Sequence, residues 1–493
     1  MNPPQFILEI NTRVWLRELG RGTPLSLSKV PESFFEEWQK QGFDTVWLMG
    51  VWLPSPGSYD AALKDPFLLE DYHRALPDWR NEDVGGSPYA VRGYTVNSAL
   101  GGEAALADFR ARLAKRGMRL LLDFVPNHLA IDHPWLSAHP EWFVTGTEAD
   151  VVRNPAHYFW ITTAEGPRAI AHGRDPYFPP WTDSAQLNYH DPNLQAAMRG
   201  ELARLATLCD GVRCDMAMLE LSDVFEEIWK RRPLEFWPRA IAETKKVNPN
   251  FFMMAEVYWG LDGVLRNMGF DATYDKELMD IVAYGKPLRR AMFDIPASEH
   301  RRRVRFLENH DEPRVASRLD PPQNIAAATW VFALPTVRLL YDGQLDGRKV
   351  RLPTQLLREP DEPVNAELRA RYATLLHTLE HPAVRNGHWH LLSPQSAWVG
   401  NITFEAILGQ AYDLDDAHLR IFINWSENRS QCWVPLGLES LSGMEVELHD
   451  LVGPKSFVRD GMELMMRGLY LDLEPWETHV FECVLQPAPA ANE

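Results

Sequence analysis

Four short segments place ionisable side chains where a buried strand should end: Asp123–His128 (DFVPNH), Gly211–Ala217 (GVRCDMA), Met254–Trp259 (MAEVYW) and Leu307–Glu312 (LENHDE). In GVRCDMA, strand side chains alternate between faces, so Arg213 and Asp215 share one and Cys214 takes the other. A guanidinium beside a carboxylate favours its charged form, and an ionised carboxylate is what nucleophilic attack needs. The same two residues would also serve as a structural ion pair. Glu256 is the sole acid in FFMMAEVYW. Apolar surroundings raise a carboxyl pKa, the requirement for a general acid near neutral pH, although a carboxylate merely reaching solvent at a strand end gives the same pattern. His310 and Asp311, and Asp123, Asn127 and His128, are groups that hydrogen-bond sugar hydroxyls or ligate a metal. Glycoside hydrolysis uses two carboxyls, one to attack or activate water and one to protonate the leaving oxygen. A third anion stabilises the positive charge developing on the ring. Asp215, Glu256 and Asp311 supply all three.

The elements that must position these groups alternate short β-rich runs with amphipathic helices, which implies parallel strands and helical crossovers. The expected strands are Phe6–Trp15, Thr45–Trp52, Arg119–Pro126, Gly211–Met218, Phe251–Trp259, Ala272–Asp275, Arg303–His310 and Val337–Tyr341. Eight such runs fit an α/β fold, a closed (β/α)₈ TIM barrel, in which polar residues at the C-terminal ends of strands form the active site. The barrel is expected over residues 1–128 and 191–380. A Pro- and aromatic-rich insert after the third strand, 129–190, is too long for a structureless loop and is expected to be a small subdomain covering the acceptor side of the pocket, with Tyr177 or Trp181 as a sugar platform. Residues 381–485 alternate in the manner of a C-terminal antiparallel β-sandwich, and 486–493 read as a disordered tail.

The chain has 493 residues, too many for one core, and a formal net charge of −18. Such acidity disfavours nucleic acid and anionic membrane as partners and does not penalise a neutral substrate. The four cysteines, Cys209, Cys214, Cys432 and Cys483, form no C-x-x-C pair and are too sparse for a disulfide framework. The N-terminus does not read as a signal peptide, and no apolar stretch reaches the ~20 residues of a membrane helix. The expected location is cytoplasmic, where the sequon at Asn424 carries no glycan. The sequence is silent on oligomeric state.

Together DFVPNH, GVRCD, AE and ENHD, in that order and spacing, resemble glycoside hydrolase family thirteen, the α-amylase family, over about 6–377. The resemblance implies a retaining double displacement on α-linked glucosides or α-glucans, with Asp215 as nucleophile, Glu256 as acid/base and Asp311 as transition-state stabiliser. It implies Arg213, His128 and His310 around the reacting sugar and Tyr89 stacked on it. Trp259 and Arg314, close behind two of the motifs, join them as candidates for substrate contact. The carboxyls of Asp215 and Glu256 should then stand ~5–5.5 Å apart. No cofactor is required, and calcium is allowed through Asn127, which matches a calcium ligand of many α-amylases. The sequence also departs from the family. Gln186 takes an acidic place in AQLNYHDP, where Asn188 is retained. Met216-Ala217-Met218-Leu219 lacks a Lys-His pair, and Gln344 stands where relatives often carry Glu. An α-glucan transglycosidase or glucoside isomerase of the same fold would keep all three carboxylates. A non-catalytic relative would lose them. A metal-dependent barrel hydrolase would use His128 and His310.

Overall fold

Eight runs of almost wholly buried residues form the parallel strands β1 (Phe6–Asn11), β2 (Thr45–Met49), β3 (Arg119–Phe124), β4 (Gly211–Cys214), β5 (Phe252–Ala255), β6 (Ala272–Tyr274), β7 (Arg303–Arg305) and β8 (Val337–Tyr341). They close into a barrel in the order β1-β8-β7-β6-β5-β4-β3-β2, as expected. This is a computed structural model, and it describes residues 5–488. By compactness the chain divides into two units. One is Met1–Tyr274 with His310–Glu312 and Val350–Asp361. The other is Asp275–Asn309 with Pro313–Lys349 and Glu362–Glu493.

In the first unit, the strands end earlier than the β-rich runs suggest. β1 stops at Asn11, whose side chain caps the helix Thr12–Leu19, so the run to Trp15 is half strand and half helix. The runs expected to reach Pro126, Met218 and Trp259 stop at Phe124, Cys214 and Ala255. Each strand there gives way to a rim loop, and the loops carry the ionisable residues. Neighbouring strands approach closely at Gly211, where a Cβ would lie 2.5 Å from the Phe252 carbonyl oxygen. The segment between β3 and β4 has its own secondary structure. His128–Ala130 pairs antiparallel with Ser184–Gln186, setting Gln186 opposite His128. Thr145–Gly146, Gly166–Ala171 and Tyr158–Thr163 make a three-stranded sheet. The chain returns to the barrel through the helix Pro192–Leu208, capped by Asp191 with Pro at its first position.

In the second unit, β7 ends at Arg305 rather than His310. The helix Pro321–Ala333 is buried along most of its length. A six-stranded antiparallel sheet and a three-stranded one enclose a shared core that includes Ile407, Phe422, Val434, Leu448, Leu471 and Phe481. Asn424 of the sequon is fully buried, and its amide nitrogen donates to the carbonyls of Asn428, Leu473 and Glu474. The last strand, Thr478–Pro487, takes residues 486 and 487 out of the expected tail, and 489–493 lie outside the described residues. The four cysteines are buried free thiols. Among the described residues no helix is long and apolar enough to cross a membrane.

Candidate active site

Arg213 is the centre around which the first unit gathers its acids. It lies on β4, paired in register with Asp123 on β3 and Met254 on β5, and is fully buried. Its Nη1 donates to Asp215 Oδ1 at 2.5 Å, and its Nη2 forms an ion pair with Glu256 Oε2 at 2.9 Å. Asp311 Oδ2 and Asp123 Oδ1 lie farther out, at 3.8 and 3.9 Å. Rings of Trp47, Tyr89 and Tyr274 surround the guanidinium at 5.2–5.8 Å from their centroids, so the cation is held against π faces rather than water.

The rim turns after β4 and β5 fix the two inner carboxyls. Asp215 N–H donates to the Phe124 carbonyl. Glu256 Oε2 accepts from the Met216 backbone N–H at 2.7 Å, and Oε1 accepts from Tyr258 Oη–H at 2.8 Å. Met216 has φ 45°, the left-handed region, which turns its N–H toward that carboxyl. Burial pushes the Asp215 carboxyl up against the pull of Arg213. Arg213 favours the charged form, as expected of a neighbouring guanidinium, but desolvation is the larger effect. Burial also raises Glu256, to about 7, with Asp215 and Asp311 reinforcing it against Arg213. At Asp311 burial is outweighed by the His310 cation and its hydrogen bond, leaving the group at about 2.

His310 joins the third acid to the barrel interior. Its Nε2 is 3.0 Å from Asp311 Oδ2 and 2.7 Å from Tyr89 Oη, and the Tyr89 and His310 rings stack at 5.3 Å. Its Nδ1 bonds Glu9 Oε1 on β1. The structure thus brings together Asp215, Glu256, Asp311, Arg213, His310 and Tyr89.

Of the remaining candidates, His128 meets this cluster less directly, through a hydrogen bond with the Tyr89 backbone. His128 is buried and held neutral by desolvation, at about 4, with Trp181 5.0 Å from its ring. Trp259 is 40% exposed and edge-on to Tyr177, itself 67% exposed, at 5.1 Å. Arg314 is a correction. It belongs to the second unit, buried, with Nη1 donating to Glu308 Oε1 and the Asp342 carbonyl and its guanidinium over the Tyr341 ring. A short polar segment near a motif looked like substrate contact, but a buried partner had already claimed the cation. Glu9, Tyr258 and Tyr274 are site neighbours that sequence reasoning missed. Glu9 left a signal, as the only charged residue in the buried run FILEIN.

Calcium does not fit the residues around Asn127. Gln186 Nε2 donates to the Asn127 carbonyl and side-chain oxygens, both at 2.9 Å, and to the Leu187 carbonyl at 3.2 Å. An amide N–H₂ therefore stands where these oxygens converge, and turning it over would set its oxygen against them. The acids of the insert are engaged elsewhere. Asp132 accepts from Ser55 and Gly57, and Asp175 from Tyr177 and Phe178. Among the described residues no group of three or more His, Cys, Asp or Glu is placed to hold a metal.

Comparison with known proteins agrees with this architecture. No protein-family model matches the chain. It is 29% identical to alpha-amylase MalA of Haloarcula japonica over 279 residues, covering 53% of this chain and 38% of that one. It is 23% identical to alpha-amylase 3 of Dictyoglomus thermophilum over 303 residues, covering 55% and 56%. The chain thus spans less than two thirds of the length of either relative. Its fold matches the crystal structure of a noncanonic maltogenic alpha-amylase AmyB from Thermotoga neapolitana at a TM-score of 0.68 and 19% identity, over 98% of this chain and 99% of that one.

Proposed function

We propose that this chain is a member of glycoside hydrolase family thirteen, the α-amylase family, and a retaining α-glycoside hydrolase acting on α-linked glucosides or α-glucans. The observation that carries the reading is one guanidinium, Arg213, holding Asp215 and Glu256 at 2.5 and 2.9 Å in a buried site. Two carboxyls on one cation do not share its charge equally. Burial raises both carboxyls, and Arg213 opposes it at both. In this reading the negative charge is assigned to the hydrogen-bonded Asp215 and the proton to Glu256, which burial raises to about 7. Those are the states a nucleophile and a general acid need.

In the first step an Asp215 oxygen attacks the anomeric carbon while Glu256 gives its proton to the leaving oxygen. In the second, Glu256 takes a proton from water, which displaces Asp215 and restores the α configuration. Asp311, kept ionised by His310, faces the positive charge that develops on the ring between the two steps. Tyr89 supplies the ring on which the sugar stacks. Asn127 and Gln186 hold the insert by neutral bonds, so no step involves calcium.

Product analysis on starch, pullulan, maltose, isomaltose, sucrose and trehalose tests the reading. Proton NMR of the first turnover should show an α product before mutarotation. A β product would remove Asp215 as nucleophile. Products longer than the substrate would move the assignment to a transglycosidase, and an isomeric disaccharide to a glucoside isomerase.

A further inference from the structure

Among the buried acids that the double displacement leaves without a task, Glu9 is the one bonded to the His310 ring. Glu9 is the only acid of β1, fully buried, on a strand whose other residues are Phe, Ile, Leu and Asn. Oε1 bonds His310 Nδ1, and Oε2 has no hydrogen-bond partner. A buried carboxylate with half its bonding capacity unmet is a poor structural element. Glutamine would make the same contact without the charge. What glutamine would not do is hold a second proton on the imidazole.

We propose that Glu9 is a positioning residue that keeps His310 doubly protonated, so that Nε2–H is aimed at Asp311. The proposal deepens the glycosidase reading and rests on it for the role of Asp311. Its geometry is a relay of three groups in line. Glu9 Oε1 accepts from Nδ1–H, and Nε2 lies 3.0 Å from Asp311 Oδ2 and 2.7 Å from Tyr89 Oη. Anions at both nitrogens outweigh burial, which on its own would strip the proton, and hold the imidazole well above its usual range. The other groups near the ring are Asp123 from β3, Arg213 from β4, Asp215 from the turn after it, and Trp47 from β2. Arg213 is the one cation among them, and it is spent on Asp215 and Glu256. Glu9 is therefore the group whose loss changes the charge on His310 without removing a direct partner of Asp215 or Glu256.

The imidazole can be read directly by ¹⁵N NMR of histidine-labelled enzyme, with His310 assigned by H310N. In the wild-type chain both ring nitrogens should stay protonated from about pH 5 to 9. A neutral His310 at pH 7 overturns the proposal whatever the activity shows. In E9Q, which keeps the shape and the hydrogen bond, His310 should lose a proton near neutral pH. The kcat should fall about 10–100-fold above that pH with KM little changed. E9D should restore part of both effects. An E9Q enzyme whose His310 spectrum and pH–rate profile overlay the wild type would reduce Glu9 to packing. If E9Q does not fold, the wild-type titration and E9D still decide. If the chain hydrolyses no α-glucoside, the glycosidase reading fails while the His310 titration still gives its own answer.

Discussion

Around Arg213 the chain buries charge, and around Asn127 it buries neutral amides. Both clusters lie in the first compact unit, and both tie a rim segment to the barrel. In the first, Asp123, Asp215, Glu256 and Asp311 lie within 3.9 Å of one guanidinium, which cannot neutralise all of them. The groups separate instead. Asp311 falls to about 2, while burial drives Asp123 and Glu256 to about 7 and pushes Asp215 up as well. In the second, three oxygens meet one amide nitrogen and nothing needs to ionise. Neutral bonds suffice where only structure is at stake. Charge is kept buried where pKa values must be driven apart, which is the condition for assigning an acid and a base.

The comparison breaks most sharply at Asp215. Asp215→Asn should lower kcat by roughly 10⁴-fold or more and leave no trapped covalent intermediate, whereas a comparable change in the amide cluster should leave kcat near wild type. Retained turnover in Asp215→Asn would end the assignment. Glu256→Gln comes next, at about 10²–10⁴-fold for substrates with poor leaving groups. It should still form intermediate from an activated glycosyl fluoride, which needs no proton. Because the acid must be protonated and its pKa is raised to about 7, wild-type kcat/KM should fall as pH rises through about 7. That limb should vanish in Glu256→Gln when the fluoride is the substrate. A limb that survives the substitution belongs to another group.

Most of this first cluster was legible because its residues end strands. A parallel barrel forces its strand ends to one rim, so four motifs with the right period imply one site. The same geometry explains the residues that stayed hidden. Glu9 sits inside β1, where no motif comes after it, and it meets His310 only when the barrel closes. Tyr258 reads as an aromatic in an apolar run until the β5 turn swings its hydroxyl onto Glu256. Arg314 shows the opposite error, since proximity in sequence to ENHD says nothing about the buried Glu308 that holds it. The strand ends were overrun because rim loops carry the same apolar and aromatic residues as strands. The amide cluster was half legible, with Gln186 visible as a departure while its three acceptors depended on the pairing of His128–Ala130 with Ser184–Gln186.

A smaller effect is expected at the exposed aromatic pair. Tyr177 and Trp259 meet edge-on at the surface, and Trp259 holds φ 61°, a conformation that bulky residues adopt only under constraint. Replacing both by alanine should raise KM for a maltooligosaccharide about 3–10-fold with kcat unchanged. Unchanged KM would make the pair ordinary surface. A matched loss in kcat would place it at the reacting centre instead.

The smallest effect sharpens the comparison from its neutral side. If Gln186 stands in for a cation, the wild-type Tm should move by less than about 1 °C with either EDTA or millimolar calcium, because no free ligand set remains to be filled. Gln186→Asp turns the donor into an acceptor. Without metal, a buried carboxylate would then face the oxygens of Asn127 and Leu187, costing about 1–3 kcal/mol or more. With metal, those oxygens and the new carboxylate offer the hard ligands calcium prefers. The variant should therefore start below the wild type in EDTA and recover about 2–5 °C on adding calcium. Its pH–rate profile should stay that of the wild type, since no group in this cluster titrates for catalysis. A wild-type chain destabilised by EDTA would show that a metal, not this amide, holds the structure. A variant indifferent to calcium would show that the three oxygens are placed for an amide alone.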